Sequence, residues 1–129
     1  MYFKKISKII IGSNNKGKLV EIRDLLSKSV KIITPYELNL KSPTENGKTF
    51  KRNSFIKAKY FSDKACEICL ADDSGLEIDF LKRKPGIYSS RWAGKKQNFN
   101  LAIRKVFRFL KKKDLNWKKK KLRLDLYAV

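Results

Sequence analysis

The chain has 129 residues, 42% of them hydrophobic, which is enough for a single domain with its own core and excludes global disorder. A formal net charge of +20 favours anionic partners such as nucleotides, nucleic acids or acidic membranes. The excess is largely lysine, as an AT-rich coding sequence would also produce. No apolar run approaches the ~18–20 residues of a membrane-spanning helix. The run Ile9–Ile11 is also too short for a secretory h-region, so a cytoplasmic location is the default expectation.

In chain order, "KIIIGS" (8–13) reads as a buried strand and "NNKGK" as a loop. "LVEIRDLLSKS" follows with Leu19, Val20, Ile22, Leu25 and Leu26 spaced as a helical stripe. "VKIIT" is a second strand, ended by Pro35, which gives an α/β opening. Residues 41–49 form a polar loop, and a helix is predicted from Thr49 to Ala65. Phe50, Phe55, Ile56, Ala58, Tyr60 and Phe61 supply its apolar faces, with Lys51, Arg52, Lys57, Lys59 and Lys64 keeping it basic. "ICLAD" and "LEIDF" read as strands joined by a "DSG" turn. "KRKPGIYSSRWAGKK" is irregular with one short helical turn. "NFNLAIRKVFRFLKKK" is an amphipathic helix with Leu101, Ile103, Val106, Phe107 and Leu110 near one face. "KLRLDLY" alternates as a half-buried strand.

There is no histidine, which removes every His-based catalytic triad and leaves carboxylates, lysines or a metal. Cys66 and Cys69 are too few to complete a structural zinc site and read as reduced, partly buried thiols. "GSNNKGK" fits the spacing G-x-x-x-x-G-K, but Leu19 stands where a P-loop needs a Ser or Thr hydroxyl for Mg²⁺. A standard P-loop is therefore not expected. What survives is a helix N-terminus with unpaired N–H groups, a positive dipole end, and Lys16 and Lys18 beside it. That is either a triphosphate cradle or an ordinary polar turn.

"ADDSG" places Asp72 and Asp73 at a strand end, where α/β folds put ligands. Two like charges ~4 Å apart repel by about 4 kcal/mol at an effective dielectric of ~20, so clustered carboxylates need a proton, a cation or separation. Mg²⁺ would satisfy them and bridge to phosphates. The plainer alternative is a turn cap at Asp72 and a solvated Asp73.

Together, "SNNKGKLVEIRDLL", "SPTENGKTFKRNSFIKA" and "LADDSGLEIDFLKRKPGIYSSRWAG" resemble the inosine triphosphate pyrophosphatase family in one collinear pass from residue 8 to about 110. "DDSGL" and "PGIYSSRWAG" are the most specific segments. The resemblance implies an α/β fold with a mixed central sheet flanked by helices, usually as a homodimer. It implies Mg²⁺-dependent hydrolysis of ITP, dITP and XTP to the monophosphate and pyrophosphate. Carried over, Ser13, Asn14, Asn15, Lys16, Gly17 and Lys18 hold the triphosphate. Glu45 and Asp72 serve the metal. Asp73 is the general base and also lies at the metal. Ser74 hydrogen-bonds substrate, and Asn53 and Lys57 face the same cleft.

The family continues well beyond the position of residue 129, with "GFGYDP" and "SHR" segments that recognise the purine. The resemblance therefore implies a fold incomplete at its C-terminus, weak base discrimination and marginal stability. Lys118–Lys121 reads as a slip site: one frame over, codons for "RLDLYAV" can encode "ARFICS", close to the family's next strand. A frameshifted gene product and a natural early stop are the two readings of that tail. An inert remnant is one alternative for the whole chain, and a basic nucleic-acid-binding module is another. Residues 95–129 carry 13 Lys or Arg against two Asp, with Phe99, Phe107, Phe109, Trp117 and Tyr127 interleaved as a stacking surface.

Overall fold

The computed structural model describes residues 5–128, with side chains described to Asp125. The outward alternation expected beyond that point, Tyr127 included, lies outside the described side chains. The chain forms two compact units, the first ending at Asp72 and the second beginning at Asp73. Parallel pairing is confined to the first and antiparallel pairing to the second, so the expected α/β class with both strand senses holds.

The first unit contains β1 (Lys8–Ile11), α1 (Lys16–Leu25), β2 (Lys31–Ile33), α2 (Phe50–Ala65) and β3 (Cys69–Leu70). Its sheet has the order β2-β1-β3, all parallel, with Ile9 opposite Ile32 and Ile11 opposite Leu70. The central strand is the continuous apolar run, and Ile9, Ile10 and Ile11 are buried, as a strand covered on both faces requires. Gly12 ends it where no side chain fits. A Cβ there would lie 3.0 Å from both Ala71 Cβ and Phe61 Cδ2 and 3.1 Å from Cys69 Sγ.

Helix α1 begins at Lys16, three residues earlier than its apolar stripe suggests, because Asn15 caps it. It buries no residue fully. Val20 and Leu25 are 60% and 85% exposed, so only Leu19, Ile22 and Leu26 of the expected stripe are partly covered.

Helix α2 starts where the sequence indicates. Thr49 caps it, its hydroxyl accepting from the Arg52 N–H at 3.1 Å. Its inward face differs from the expected one. Phe50, Asn53, Ser54, Lys57 and Phe61 are the buried residues, a helical 3–4 spacing, while Phe55 is 54% exposed. Lys57 thus leaves the basic surface and joins the interior face. The helix ends at Cys66, which takes the left-handed C-cap conformation.

The second unit contains β4 (Ser74–Ile78), β5 (Lys84–Pro85), α3 (Ser89–Trp92), α4 (Phe99–Lys113) and β6 (Leu124–Ala128), in an antiparallel sheet of order β5-β4-β6. No turn separates two paired strands at "DSG". Ser74 and Gly75 already belong to β4 and pair with Ala128 and Tyr127, leaving Ala71–Asp73 as the link out of the parallel sheet.

Ile78, Leu81, Val106 and Leu110 form the core, with Leu76, Phe80, Trp92, Phe109, Trp117 and Leu122 packed on it. The face of α4 is therefore rotated from the expected one. Val106 and Leu110 are buried, Phe109 stacks on Trp92, and Leu101, Ile103 and Phe107 are about half exposed. Fully burying a side chain of this size contributes about 1.5–3 kcal/mol, which fixes which face turns inward.

Candidate phosphate and carboxylate site

In the first unit, the loop after β1 is organised by its own side chains. Ser13 Oγ accepts from the Asn15 N–H at 3.1 Å. Asn15 Oδ1 accepts from the N–H groups of Gly17 at 2.9 Å and Lys18 at 3.3 Å. Asn15 is therefore the helix cap and already satisfies two of the donors that a phosphate would use. The Lys16 and Lys18 ammonium groups remain as the cationic part of the loop. Asn14 Nδ2 donates to Ser42 Oγ at 3.2 Å, tying this loop to the 41–49 loop. Asn14, Lys16 and Leu19 also line an open cleft of ≈ 620 Å³ with Thr34, Tyr36 and Lys41.

Lys18 reaches Asp72: its Nζ lies 2.6 Å from Asp72 Oδ2, with both side chains 24% exposed. The residues are far apart in sequence, and the parallel sheet joins them, since Ile11 at the end of β1 pairs with Leu70 at the end of β3. Asp72 Oδ1 is buried and has no hydrogen-bond partner among the described residues. A half-satisfied buried carboxylate is costly unless a cation or donor completes it.

The 41–49 loop supplies the second carboxylate. Glu45 Oε1 lies 3.6 Å from Lys57 Nζ, on the inward face of α2. Asn53, one turn earlier and 1% exposed, accepts the Gly47 N–H at 2.8 Å. Two of the first unit's lysine–carboxylate pairs, Lys18–Asp72 and Lys57–Glu45, thus involve residues singled out in the sequence.

In the second unit, Asp73 is 8% exposed and its Oδ1 accepts the Ser74 N–H at 3.1 Å. Asp73 directly precedes β4, which is braced by Ser89. That hydroxyl accepts from Leu76 N–H at 2.9 Å and donates to Gly86 O at 2.6 Å. "PGIYSS" therefore serves as the brace of the strand that follows the aspartates. Sequence reasoning singled out the motif but not Ser89. The signal was a hydroxyl three residues after a glycine in a turn.

Among the described residues, no three Asp, Glu, Cys or His side chains gather as a ready metal cage. Mg²⁺ does not need one, since it is usually held by one or two carboxylates together with substrate phosphates and water. The unsatisfied Asp72 Oδ1, an anionic hard-oxygen donor, fits such an ion. Both cysteines are free; Cys69 is partly buried, as expected, and burial pushes its thiol up to about 11, whereas Cys66, also expected to be partly buried, is exposed at the C-cap of α2. The aromatics of the basic C-terminal region are largely engaged within the unit. Phe107 stacks on Trp117 at 5.5 Å, and Phe109 on Trp92 at 5.2 Å.

The fold and these motifs have known counterparts. A HAM1 protein from Coxiella burnetii superposes with a TM-score of 0.76 at 30% identity, covering 95% of this chain and 72% of that one. The Ham1 protein of Staphylococcus aureus gives 0.72 at 25% identity, covering 95% and 69%. The Ham1 family profile matches residues 9–123, and the chain belongs to that family. The dITP/XTP pyrophosphatase of Zymomonas mobilis is 44% identical over 100 residues, which is 77% of this chain and 48% of the relative. That of Dictyoglomus thermophilum is 36% identical over 127 residues, covering 94% and 59%. The chain spans about half the length of the curated relatives it matches. Among the described residues, no helix is long and apolar enough to cross a membrane.

Proposed function

We propose that the chain carries the phosphate-handling part of an enzyme that hydrolyses deaminated purine nucleoside triphosphates, namely ITP, dITP and XTP, to the monophosphate and pyrophosphate. The observation that carries this reading is the contact between Lys18 of the glycine-containing loop and Asp72 of "DDSG". It joins a cationic loop to a half-satisfied carboxylate in a chain matched by the Ham1 family over nearly its whole length.

In this reading Lys16 and Lys18 bind the triphosphate, with Ser13, Asn14, Asn15 and Gly17 shaping the loop. Lys57 contributes a third cation from α2, and Ser74 donates a hydrogen bond to the substrate. Asp73 takes a proton from water, whose oxygen adds to phosphorus while the anhydride between the α- and β-phosphates breaks. Pyrophosphate leaves. General-base action of this kind is worth about 10²–10⁴ in rate. Asp72, through its unsatisfied Oδ1, and Glu45 of the same unit would hold Mg²⁺ together with substrate phosphates and water, and the ion when bound neutralises phosphate charge and polarises the reacting phosphoryl group.

A pyrophosphate-release assay on ITP, XTP, GTP and ATP with added Mg²⁺ tests the reading. The expected result is release from ITP and XTP, with only weak discrimination against GTP and ATP. Salt-dependent binding to single-stranded nucleic acid without pyrophosphate release would point instead to the basic surface of residues 95–129.

A further inference from the structure

The segment 41–49 has no regular secondary structure, yet it carries Glu45. A carboxylate on an irregular loop is useful for chemistry only if something fixes the backbone beneath it. Asn53 is placed to do that. It sits at 1% exposure on the inward face of α2, and its Oδ1 accepts the Gly47 N–H at 2.8 Å. The loop backbone lies so close to the helix there that a Cβ on Gly47 would stand 2.5 Å from Asn53 Oδ1. It would also lie 2.8 and 2.9 Å from Arg52 Cγ and Cβ. Lys57, four residues on and on the same buried face, meets the Glu45 carboxylate at 3.6 Å. One face of one helix therefore holds the segment Glu45–Gly47 at two points, by its backbone through Asn53 and by the Glu45 side chain through Lys57.

We infer that Asn53 is a positioning residue that presets the Glu45 carboxylate by gripping Gly47, rather than a group that touches substrate. The inference rests on the reading that Glu45 serves the reaction. It turns on which half of the amide matters. A grip on the Gly47 N–H uses the acceptor Oδ1, whereas a contact with a phosphate or sugar oxygen would use the Nδ2 donors. Asn53→Asp keeps the acceptor and removes the donors. Gly47→Ala attacks the same contact from the other side.

The test pairs NMR hydrogen exchange of the Gly47 amide, on the full chain without substrate, with Mg²⁺-dependent pyrophosphate release from ITP. In the wild type, Gly47 should exchange at least about 100-fold more slowly than an open loop amide. Asn53→Ala should remove that protection, lower release at least about tenfold and raise the Mg²⁺ concentration needed for half-maximal release. Asn53→Asp should keep both protection and most of the activity. Gly47→Ala should match Asn53→Ala, and it decides the matter if Asn53→Ala does not fold. The inference is overturned if Asn53→Ala leaves Gly47 as protected as before. It is equally overturned if Asn53→Asp keeps Gly47 protected but loses as much activity as Asn53→Ala. Absence of pyrophosphate release from the wild type would sink the functional reading, and the exchange data alone would then judge the grip.

Discussion

Lys18 and Asp72, 54 positions apart in the sequence, meet at 2.6 Å because the strands that precede them, β1 and β3, pair in parallel. The ion pair is three-quarters covered but not sealed, so it holds each group in place without locking it away from an incoming ligand. An anionic phosphate can take Lys18, and a cation can take Asp72, each replacing the other's partner with one of like charge.

Removing one end of this pair should damage binding far more than folding. A charge-assisted hydrogen bond to a ligand is worth about 1.5–3 kcal/mol, or roughly 10–100-fold. A partly exposed ion pair contributes only ~0–1 kcal/mol to stability. Lys18→Met is therefore expected to raise the KM for ITP by about tenfold or more while shifting the denaturant midpoint little. Steady-state kinetics alongside urea unfolding measure the two effects. A large loss of stability with an unchanged KM would assign Lys18 a purely structural role.

The rotated face of α4 gives a second expectation. Leu110 is 2% exposed and Ile103 is 50% exposed, although both fitted the apolar stripe read from the sequence. Leu110→Ala should cost about 2–5 kcal/mol as a core truncation. Ile103→Ala should stay within about 0.5 kcal/mol, as surface changes do. Chemical denaturation of both variants is the check, and comparable losses would restore the face expected from the sequence.

Those two residues also show what the sequence could and could not reveal. Strand β1, helix α2 from its Thr49 start and helix α4 follow from local chemistry, because apolar runs and helix periodicity act within a few residues, whereas the Asn15 cap of α1 and the short strand β5 lie in segments that read as loop or irregular chain. Which of several apolar residues on a helix turns inward depends on the partner surface, and no local signal contains that. The candidate site divides in the same way. Residue types and order pointed to Lys18, Glu45, Asp72 and Asp73 separately. The pairing of Lys18 with Asp72 needed the strand register, and the hold of Asn53 on Gly47 needed the fold of an irregular loop. By its charge alone Lys57 reads as part of the basic surface of α2, whereas the family resemblance turns it inward to the cleft, the face on which it is buried. Its burial is intelligible only once Glu45 is seen beside it.

The cysteines make a third expectation, with a pH dependence. Burial pushes the Cys69 thiol up to about 11 from an ordinary value of 9.0, while Cys66 is exposed at the end of α2. Because the thiolate is the reactive form, a maleimide or iodoacetamide at pH 8 should label Cys66 well before Cys69. Mass spectrometry of the partly labelled chain reads the order. The raised value also has a sign for stability. The folded chain holds the Cys69 proton more tightly than the unfolded one. The associated stabilisation is therefore complete below about pH 9 and is lost as pH rises through about 11. Cys69→Ser should flatten the alkaline limb of a stability–pH curve, and an unchanged limb would contradict the assignment.

The central claim is that carboxylates beside a phosphate-gripping lysine loop carry out a hydrolysis. Its most direct test is pyrophosphate release from ITP, with Mg²⁺ present, by the wild-type chain and by Asp73→Asn. The account predicts release by the wild type and a fall of about 10²–10⁴-fold in kcat for the variant, with its thermal melt little changed. Equal release by the two proteins would contradict it.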